Sequence, residues 1–351
     1  MHDVAILADD LTGALDTGAV FATVASPVVV TWQVTDDRRL AVDSATREVA
    51  PAQAAKTVGA FVNWLAGARI AFKKVDSLLR GNSFIEIATL VRSRRFQTIC
   101  LAPAFPAQGR TTVGGVVRVA DAPRVALIDG LAAEGVAATL LAPGDAPHSP
   151  GVFVCDASTT AHVSALAEKT DTVGLLWCGS SGLARALAPP PQRLAPRVEL
   201  VVIGSRHDVS RAHAAQLFRS LGPAAVRVSS LQDVDAVRAA LVERTRAALI
   251  FDLPPMSPAA AEQFYRDAFA VLVRAVAPPA GIAVVGGDTL FRLARTLGAT
   301  GFDALGEFAE GVPVSSLRGG RWPGCTVISK SGAFADAGLF TDFADGERQS
   351  A

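Results

Sequence analysis

Cysteine is sparse in this 351-residue chain, and the four present, Cys100, Cys155, Cys178 and Cys325, lie far apart. Most sit inside apolar runs, so they read as buried thiols, with neither a disulfide framework nor a metal-site spacing among them. The five histidines form no metal-ligand spacing with one another or with a cysteine. Charge of one sign is also missing: 33 basic residues balance 33 acidic ones and no long Lys/Arg run occurs. That excludes the electrostatic footprint of a nucleic-acid binder and a polybasic membrane anchor. No apolar run is long enough to span a bilayer, and the start of the chain enters a strand without the basic and apolar regions of a secretory signal. A cytoplasmic protein acting on a small molecule is the expectation. Both common nucleotide fingerprints, GxxxxGK[ST] and a post-strand GxGxxG, are absent, so any nucleotide site is of another kind.

What is present is a large apolar fraction, 50% of residues, enough to bury a sizeable core. Short Val/Ile/Ala-rich runs alternate with Ala/Leu/Arg stretches of helical period, the pattern of βα units and a mainly parallel sheet. Strands are expected at 4–7, 28–32, 70–75, 98–102, 152–155 and 174–177, and again at 200–203, 225–228, 247–251, 281–285, 312–317 and 325–329. Between the two series lies Ala188 to Arg197, with Pro189, Pro190, Pro191 and Pro196. Proline cannot continue a helix or donate to a central sheet, so this segment reads as a linker. The expectation is two α/β domains, residues 1–193 and 194–351, with the binding sites in the cleft between them and closure about the linker.

Three turns of the first domain share one design: an apolar run stops in a polar, Gly-marked segment at Asp9 to Gly13, Lys73 to Asn82 and Pro103 to Thr112. Loops at the carboxyl ends of parallel strands converge on one crevice. Lys74, Arg80 and Arg110 offer charge-assisted hydrogen bonds to a carboxylate or phosphate, while Asp9, Asp10 and Asp76 can accept from hydroxyls or take a proton. Thr12, Ser77, Asn82 and Thr111 add neutral donors. Together they suit an anionic, hydroxylated small molecule. Arg80 and Asp76 are alternatively an ion pair shaping their own turn, and Asp9 a plain helix cap.

The second domain has amide-rich turns of its own. Gly286, Gly287, Asp288 and Thr289 lead from a strand into a helix, and a helix N-terminus favours phosphate. Ser331 and Gly332, within Ser329 to Phe334, can hold a phosphate in a backbone nest. A third turn, Gly204 to Asp208, adds Ser205. Each is also an ordinary way to start a helix.

Taken in order, ADDLTGALDTG from Ala8, FKKVDSLLRGN from Phe72, PAFPAQGRTTVGG from Pro103, GGDT from Gly286 and ISKSGAF from Ile328 resemble the four-carbon acid sugar kinases. With weaker matches at Gly179 to Leu183, Gly204-Ser205 and Gly311 to Pro313, the resemblance spans nearly the whole chain. It implies an N-terminal domain for a sugar acid such as threonate, erythronate or a 3-oxo-tetronate, and a C-terminal domain for ATP. It implies phosphoryl transfer to a terminal hydroxyl, with magnesium bridging phosphate oxygens. Ser205, Gly286 to Thr289 and Gly332 would then contact nucleotide. Two places depart from the family pattern: the segment after Val119 is shorter, and Arg206, His207 and Asp208 stand where small residues are usual.

The expected roles follow. Lys74, Arg80 and Arg110 meet the substrate carboxylate or the transferred group; Asp10 or Asp76 orients hydroxyls and one is the base, or Asp288 serves as base or magnesium partner. A non-catalytic sugar-acid sensor, a kinase for another small hydroxy acid and an NAD(P)-dependent oxidoreductase are the competing readings. The last lacks its glycine signature.

Overall fold

A computed structural model describes residues 2–170, 174–205, 207–332 and 343. The chain divides into two units, 1–191 and 192–351. The first runs β1 (His2–Ala8), α1 (Leu11–Phe21), β2 (Val28–Thr31), β3 (Arg39–Asp43), α2 (Pro51–Ala66), β4 (Ala68–Lys74), α3 (Ser83–Arg92) and β5 (Thr98–Ala102). It continues with β6 (Arg110–Val113), β7 (Val116–Val119), β8 (Ala122–Ala126), α4 (Leu127–Ala133), β9 (Thr139–Leu141), β10 (Gly151–Cys155), α5 (Thr160–Lys169), β11 (Leu175–Gly179) and α6 (Ser181–Ala186).

Its main sheet has the order β2-β3-β1-β4-β11-β5-β10-β9, parallel throughout. Strands buried on both faces read as continuous apolar runs, which is why VAIL, TICLA and GLLW were legible. One face packs Leu7, Ala71, Leu101, Val154 and Cys178 against Val58, Val62 and Leu65 of α2, Ile87 and Leu90 of α3, and Leu127 and Leu131 of α4. Phe72 turns to the opposite face, where its ring meets Phe21 of α1 edge-on. All four cysteines are free and buried.

The segment after Val113 is not a loop into the next strand. β6, β7 and β8 form a small antiparallel sheet of their own, latched where Asp156 accepts from the amides of Gly114 (2.6 Å) and Gly115 (2.9 Å).

The second unit contains β12 (Leu200–Ile203), α7 (Asp208–Leu221), β13 (Ala225–Val228), α8 (Asp233–Arg244), β14 (Ala247–Phe251) and α9 (Pro258–Ala275). It ends with β15 (Gly281–Val285), α10 (Gly287–Leu297), β16 (Ala299–Ala309), β17 (Val312–Gly319) and β18 (Thr326–Lys330). The order β13-β14-β12-β15-β18 is parallel, and β17 and β16 continue it antiparallel. β16 escaped the sequence reading because Gly301 and Gly306 interrupt its pattern, and its pairing shifts register at both. From Gln192 the proline-rich segment is tied to it: Glu307 donates to Gln192 O at 2.9 Å and Leu194 to Glu307 O at 2.8 Å.

Among the described residues no helix is long and apolar enough to cross a membrane.

Successive strand residues point to opposite faces, and at the end of β4 this separates two lysines. Lys73 enters the α3 face, where its ammonium meets Glu86 at 2.7 Å with both side chains fully buried. It is part of the core, not of the polar turn expected from its sequence neighbours. Breaking such a pair strands a charge in an apolar interior. Glu86→Gln should cost about 3–5 kcal/mol in urea unfolding, whereas Lys73→Met with Glu86→Leu should return most of it. Equal stability of E86Q and wild type would contradict the pairing.

Candidate active site

Each sheet has a point where successive connections leave in opposite directions, and ligands bind outside the carboxyl ends of the strands there. In the first unit β1 leads through α1 toward β2, while its neighbour β4 leads through α3 toward β5 on the other side. The turns at the switch are Asp9-Asp10 and Lys74 to Asn82. A third segment arrives beside them, the 44–49 loop after β3, bound along β1 by Ser44 N to Ala8 O (2.9 Å) and by Thr46 N and Arg47 N to Asp9 O (3.1 and 3.2 Å).

That loop delivers Arg47, which the sequence reading did not identify. Its Nε and Nη2 donate to the two oxygens of Asp9 at 2.8 and 2.9 Å, and its Nη1 to Asp10 Oδ2 at 2.5 Å. Nη2 also lies 3.8 Å from Asp76. Asp9 is 1% exposed. Burial alone would raise its pKa, but the charges of Lys73 and Arg47 outweigh it and hold the carboxyl below the usual range. Asp10 caps α1, accepting from Gly13 N at 2.8 Å, and keeps 28% of its side chain exposed. Burial, reinforced by the charge of Asp9, pushes this carboxyl up against the opposing pull of Arg47 and Lys74.

Asp76 is spent locally. It accepts from Leu78 N (2.9 Å) and from Arg80 Nε (3.1 Å) and Nη2 (2.5 Å). Burial opposes its charge, yet the bonds from Arg80 and the charge of Arg47 hold it well below the usual carboxylate range. The alternative raised from sequence, an Arg80–Asp76 pair shaping its own turn, is thus the geometry seen. Asn82 donates its amide to Thr46 O (2.7 Å) and Val49 O (2.8 Å), bracing the Arg47 loop from the other side. Lys74, on the α1 face, donates to Val75 O at 2.9 Å, and a Cβ on Gly13 would sit 3.2 Å from its ammonium. Arg110 reaches from β6 to donate to Ser77 Oγ. Thr12 and Thr111 are half-buried. The first unit therefore gathers Asp9, Asp10, Lys74, Asp76 and Arg80 through the charges they exert around Arg47, with Arg110 acting on Asp76 and Arg80.

In the second unit the switch lies between β12, which leads toward β13, and β15, which leads toward β16. Gly204-Ser205 follow β12, Gly286 to Thr289 follow β15, and Ser331-Gly332 follow β18. Gly286, at φ 108°, opens α10 and donates to Lys330 O at 2.9 Å. A Cβ on Gly332 would lie 2.0 Å from Ser205 Oγ, so the turns after β12 and β18 touch through a missing side chain. Ser210 Oγ closes the contact, donating to Gly332 O at 3.0 Å. The first amides of α10 have no intrahelical acceptor by helix geometry, which leaves a donor-rich end here. Thr289 is buried, and Asp288 is 89% exposed. His207 caps α7 through Val209 N at 3.3 Å. Arg206, Ala333 and Phe334 lie outside the described residues.

Residues 4–129 match the family model of a sugar-binding N-terminal domain, and residues 200–340 that of a nucleotide-binding C-terminal domain. A D-threonate kinase of Bordetella bronchiseptica is 30% identical, over 95% of this chain and 94% of its own. The chain belongs to the four-carbon acid sugar kinase family. A second relative, a D-threonate kinase of Cupriavidus necator, is 34% identical over 62% of this chain and 64% of its own length. A crystal structure of a Salmonella typhimurium LT2 protein shares the fold, with TM-score 0.74 at 20% identity over 99% of each chain. The charged turns fall in the unit that holds the sugar-binding match and the amide-rich turns in the unit that holds the nucleotide-binding match.

A further acid beside the Arg47 cluster, Asp43, ends β3 and is 4% exposed. Its Oδ1 accepts from Ala45 N at 2.8 Å. Burial first, then the charges of Asp10 and Asp9, raises its pKa to about 7. The unfolded chain releases that proton near pH ~4. Between those values unfolding releases a proton, so Asp43 makes stability fall as pH rises. Asp43→Asn removes the effect: its Tm relative to wild type should be higher at pH 8 than at pH 5. A difference independent of pH would show that Asp43 ionises normally in the folded protein.

Proposed function

We propose that this protein is an ATP-dependent kinase that phosphorylates the terminal hydroxyl of a four-carbon sugar acid, with threonate-type acids as the first candidates. The observation that carries this reading is the pairing of two anion-handling turn clusters, one cationic with a partly exposed carboxylate and one rich in backbone amides. The names of the two relatives supply the substrate class. A ligand sensor needs no second anion-binding site.

In this reading Lys74 and Arg110 hold the acid's carboxylate, and Thr12, Ser77 and Thr111 bond its hydroxyls. Asp9 and Asp76 keep their protons off and serve as braces, and Arg80 and Asn82 shape the turn around them. Asp10 is the base. Its carboxylate retains solvent access and a raised pKa, whereas that of Asp76 is depressed by Arg80. Ser205, Gly286, Gly287, Thr289, Ser331 and Gly332 receive the phosphates. Among the described residues no group of three His, Cys, Asp or Glu forms a metal cage. Magnesium is held by one or two carboxylates plus substrate phosphates, and the exposed Asp288 would be its protein partner here. When bound it neutralises charge on the phosphate oxygens.

The step itself is an in-line displacement. The substrate's terminal oxygen forms a bond to the γ-phosphorus, the bond from that phosphorus to the β,γ-bridging oxygen breaks, and ADP leaves with the electron pair. The hydroxyl proton passes to Asp10. Positioning and electrostatics supply the catalysis, since phosphoryl transfer asks little covalent chemistry of the protein.

ADP release should depend on added acid when threonate and erythronate stereoisomers and 3-oxo-tetronates are each supplied with ATP and magnesium. Asp10→Asn should lower turnover by about 10²–10⁴ and leave ATP affinity unchanged. ATP binding with no acid-dependent ADP would replace the kinase by a sugar-acid sensor, and an Asp10→Asn variant with full turnover would remove Asp10 as base.

A further inference from the structure

Resting on the kinase reading, we infer that Arg47 is the positioning residue of this site: it locks Asp10 to the buried Asp9 and so fixes where the hydroxyl proton is received. Three nitrogens of one guanidinium are committed, Nε and Nη2 to Asp9 and Nη1 to Asp10. With its side chain 17% exposed, Arg47 is itself largely enclosed, and Asp9 is enclosed further. Asp9 therefore works as an anchor. Both of its oxygens accept from one guanidinium, whose charge favours the ionised carboxylate.

The arginine's own loop is fastened from two sides. Thr46 N and Arg47 N donate to Asp9 O, and Asn82 donates to Thr46 O and Val49 O. Opposite, the backbone at Gly81 runs so close that a Cβ there would sit 2.6 Å from Arg47 O, with φ at +74°. This is a rigid mount of the kind that holds a reacting group within a fraction of an ångström. Asp10 gains a second constraint from Gly13 N, so each of its oxygens has one fixed donor and retains further lone-pair capacity toward a ligand.

The charged groups around Asp10 are Asp9 beside it, Asp43 at the end of β3 and Arg47 after it, and Lys74 at the end of β4 with Asp76 and Arg80 after it; Lys73 acts on Asp9 from the far face of the sheet. Without Arg47, burial and the two neighbouring acids would dominate, and Asp10 would hold its proton to higher pH. A lysine keeps the charge but lacks the planar fork, so it cannot reproduce the bidentate hold on Asp9 together with the third bond to Asp10.

The test is a pH titration of wild type, Arg47→Gln and Arg47→Lys. The Asp10 carboxyl is followed by carbon-13 NMR, identified by its absence in Asp10→Asn, and kcat/KM for the acid is measured across the same range. In Arg47→Gln the Asp10 titration and the acidic limb of kcat/KM should both move up by about one pH unit or more. In Arg47→Lys they should move up by less, with kcat falling more than KM rises. If Arg47→Gln fails to fold, Arg47→Lys carries the test. A folded variant in which Asp10 titrates as in wild type overturns the inference. A wild type that forms no ADP with any acid overturns the kinase reading instead, and the NMR titration still decides the role of Arg47.

Discussion

Removing a carboxylate from water costs several kcal/mol unless a partner meets it with good geometry, and the residue after β1 is a carboxylate with almost no exposure. The Arg47 fork on Asp9 satisfies that charge, and much else depends on it. It ties β1 to the loop that follows β3, brings that loop against the Asp76 turn, and leaves one guanidinium nitrogen for Asp10. Asp10 is at once the cap of α1 and the one carboxylate of this trio that is both partly exposed and raised in pKa. Helix start, loop anchoring and the proposed proton acceptor thus share one set of contacts.

The two units solve different electrostatic problems with the same topology. In the first, side-chain charges of both signs are packed at the switch point, and most are paired: Asp9 with Arg47, Asp76 with Arg80, Lys73 with Glu86 in the core beneath. In the second, the switch point is built from backbone. Gly286 and Gly332 remove side chains where three turns meet, and the polar groups there include amides, hydroxyls, the exposed carboxylate of Asp288 and the buried Lys330, whose ammonium donates to Ser331 O. The first arrangement suits an acid bearing hydroxyls and the second a polyphosphate, whose charge is met by amide dipoles and a divalent cation.

Strands buried on both faces announce themselves as unbroken apolar runs, so most of both parallel sheets was legible in the sequence. β3 was not, because only Leu40, Ala41 and Val42 stand between charged neighbours. Missing β3 meant missing Arg47 and Asp43, since their significance comes from lying beside β1 in space and not from any motif. Lys73 and Lys74 illustrate the opposite limit: adjacent in sequence, they were read together, and the strand's alternation sends one into the core and one to the site. The β6–β8 sheet was hidden by Gly, Asp and Pro, which in an antiparallel ribbon are turn residues and in a linear reading look like a loop. The turns themselves, Asp9-Asp10, Lys74 to Arg80 and Gly286 to Thr289, were visible in the sequence as polar residues abruptly ending apolar runs.

Transfer of the phosphoryl group to the hydroxyl on the terminal carbon of the acid is read directly by the proton-coupled phosphorus-31 NMR spectrum of the product. A monoester on a terminal CH2 group gives a signal split by two protons; that result is predicted. A signal split by a single proton would mean an internal hydroxyl is the acceptor, and a spectrum showing only inorganic phosphate and ADP would mean that water is, either of which contradicts the arrangement of Asp10, Lys74 and Arg110 described above.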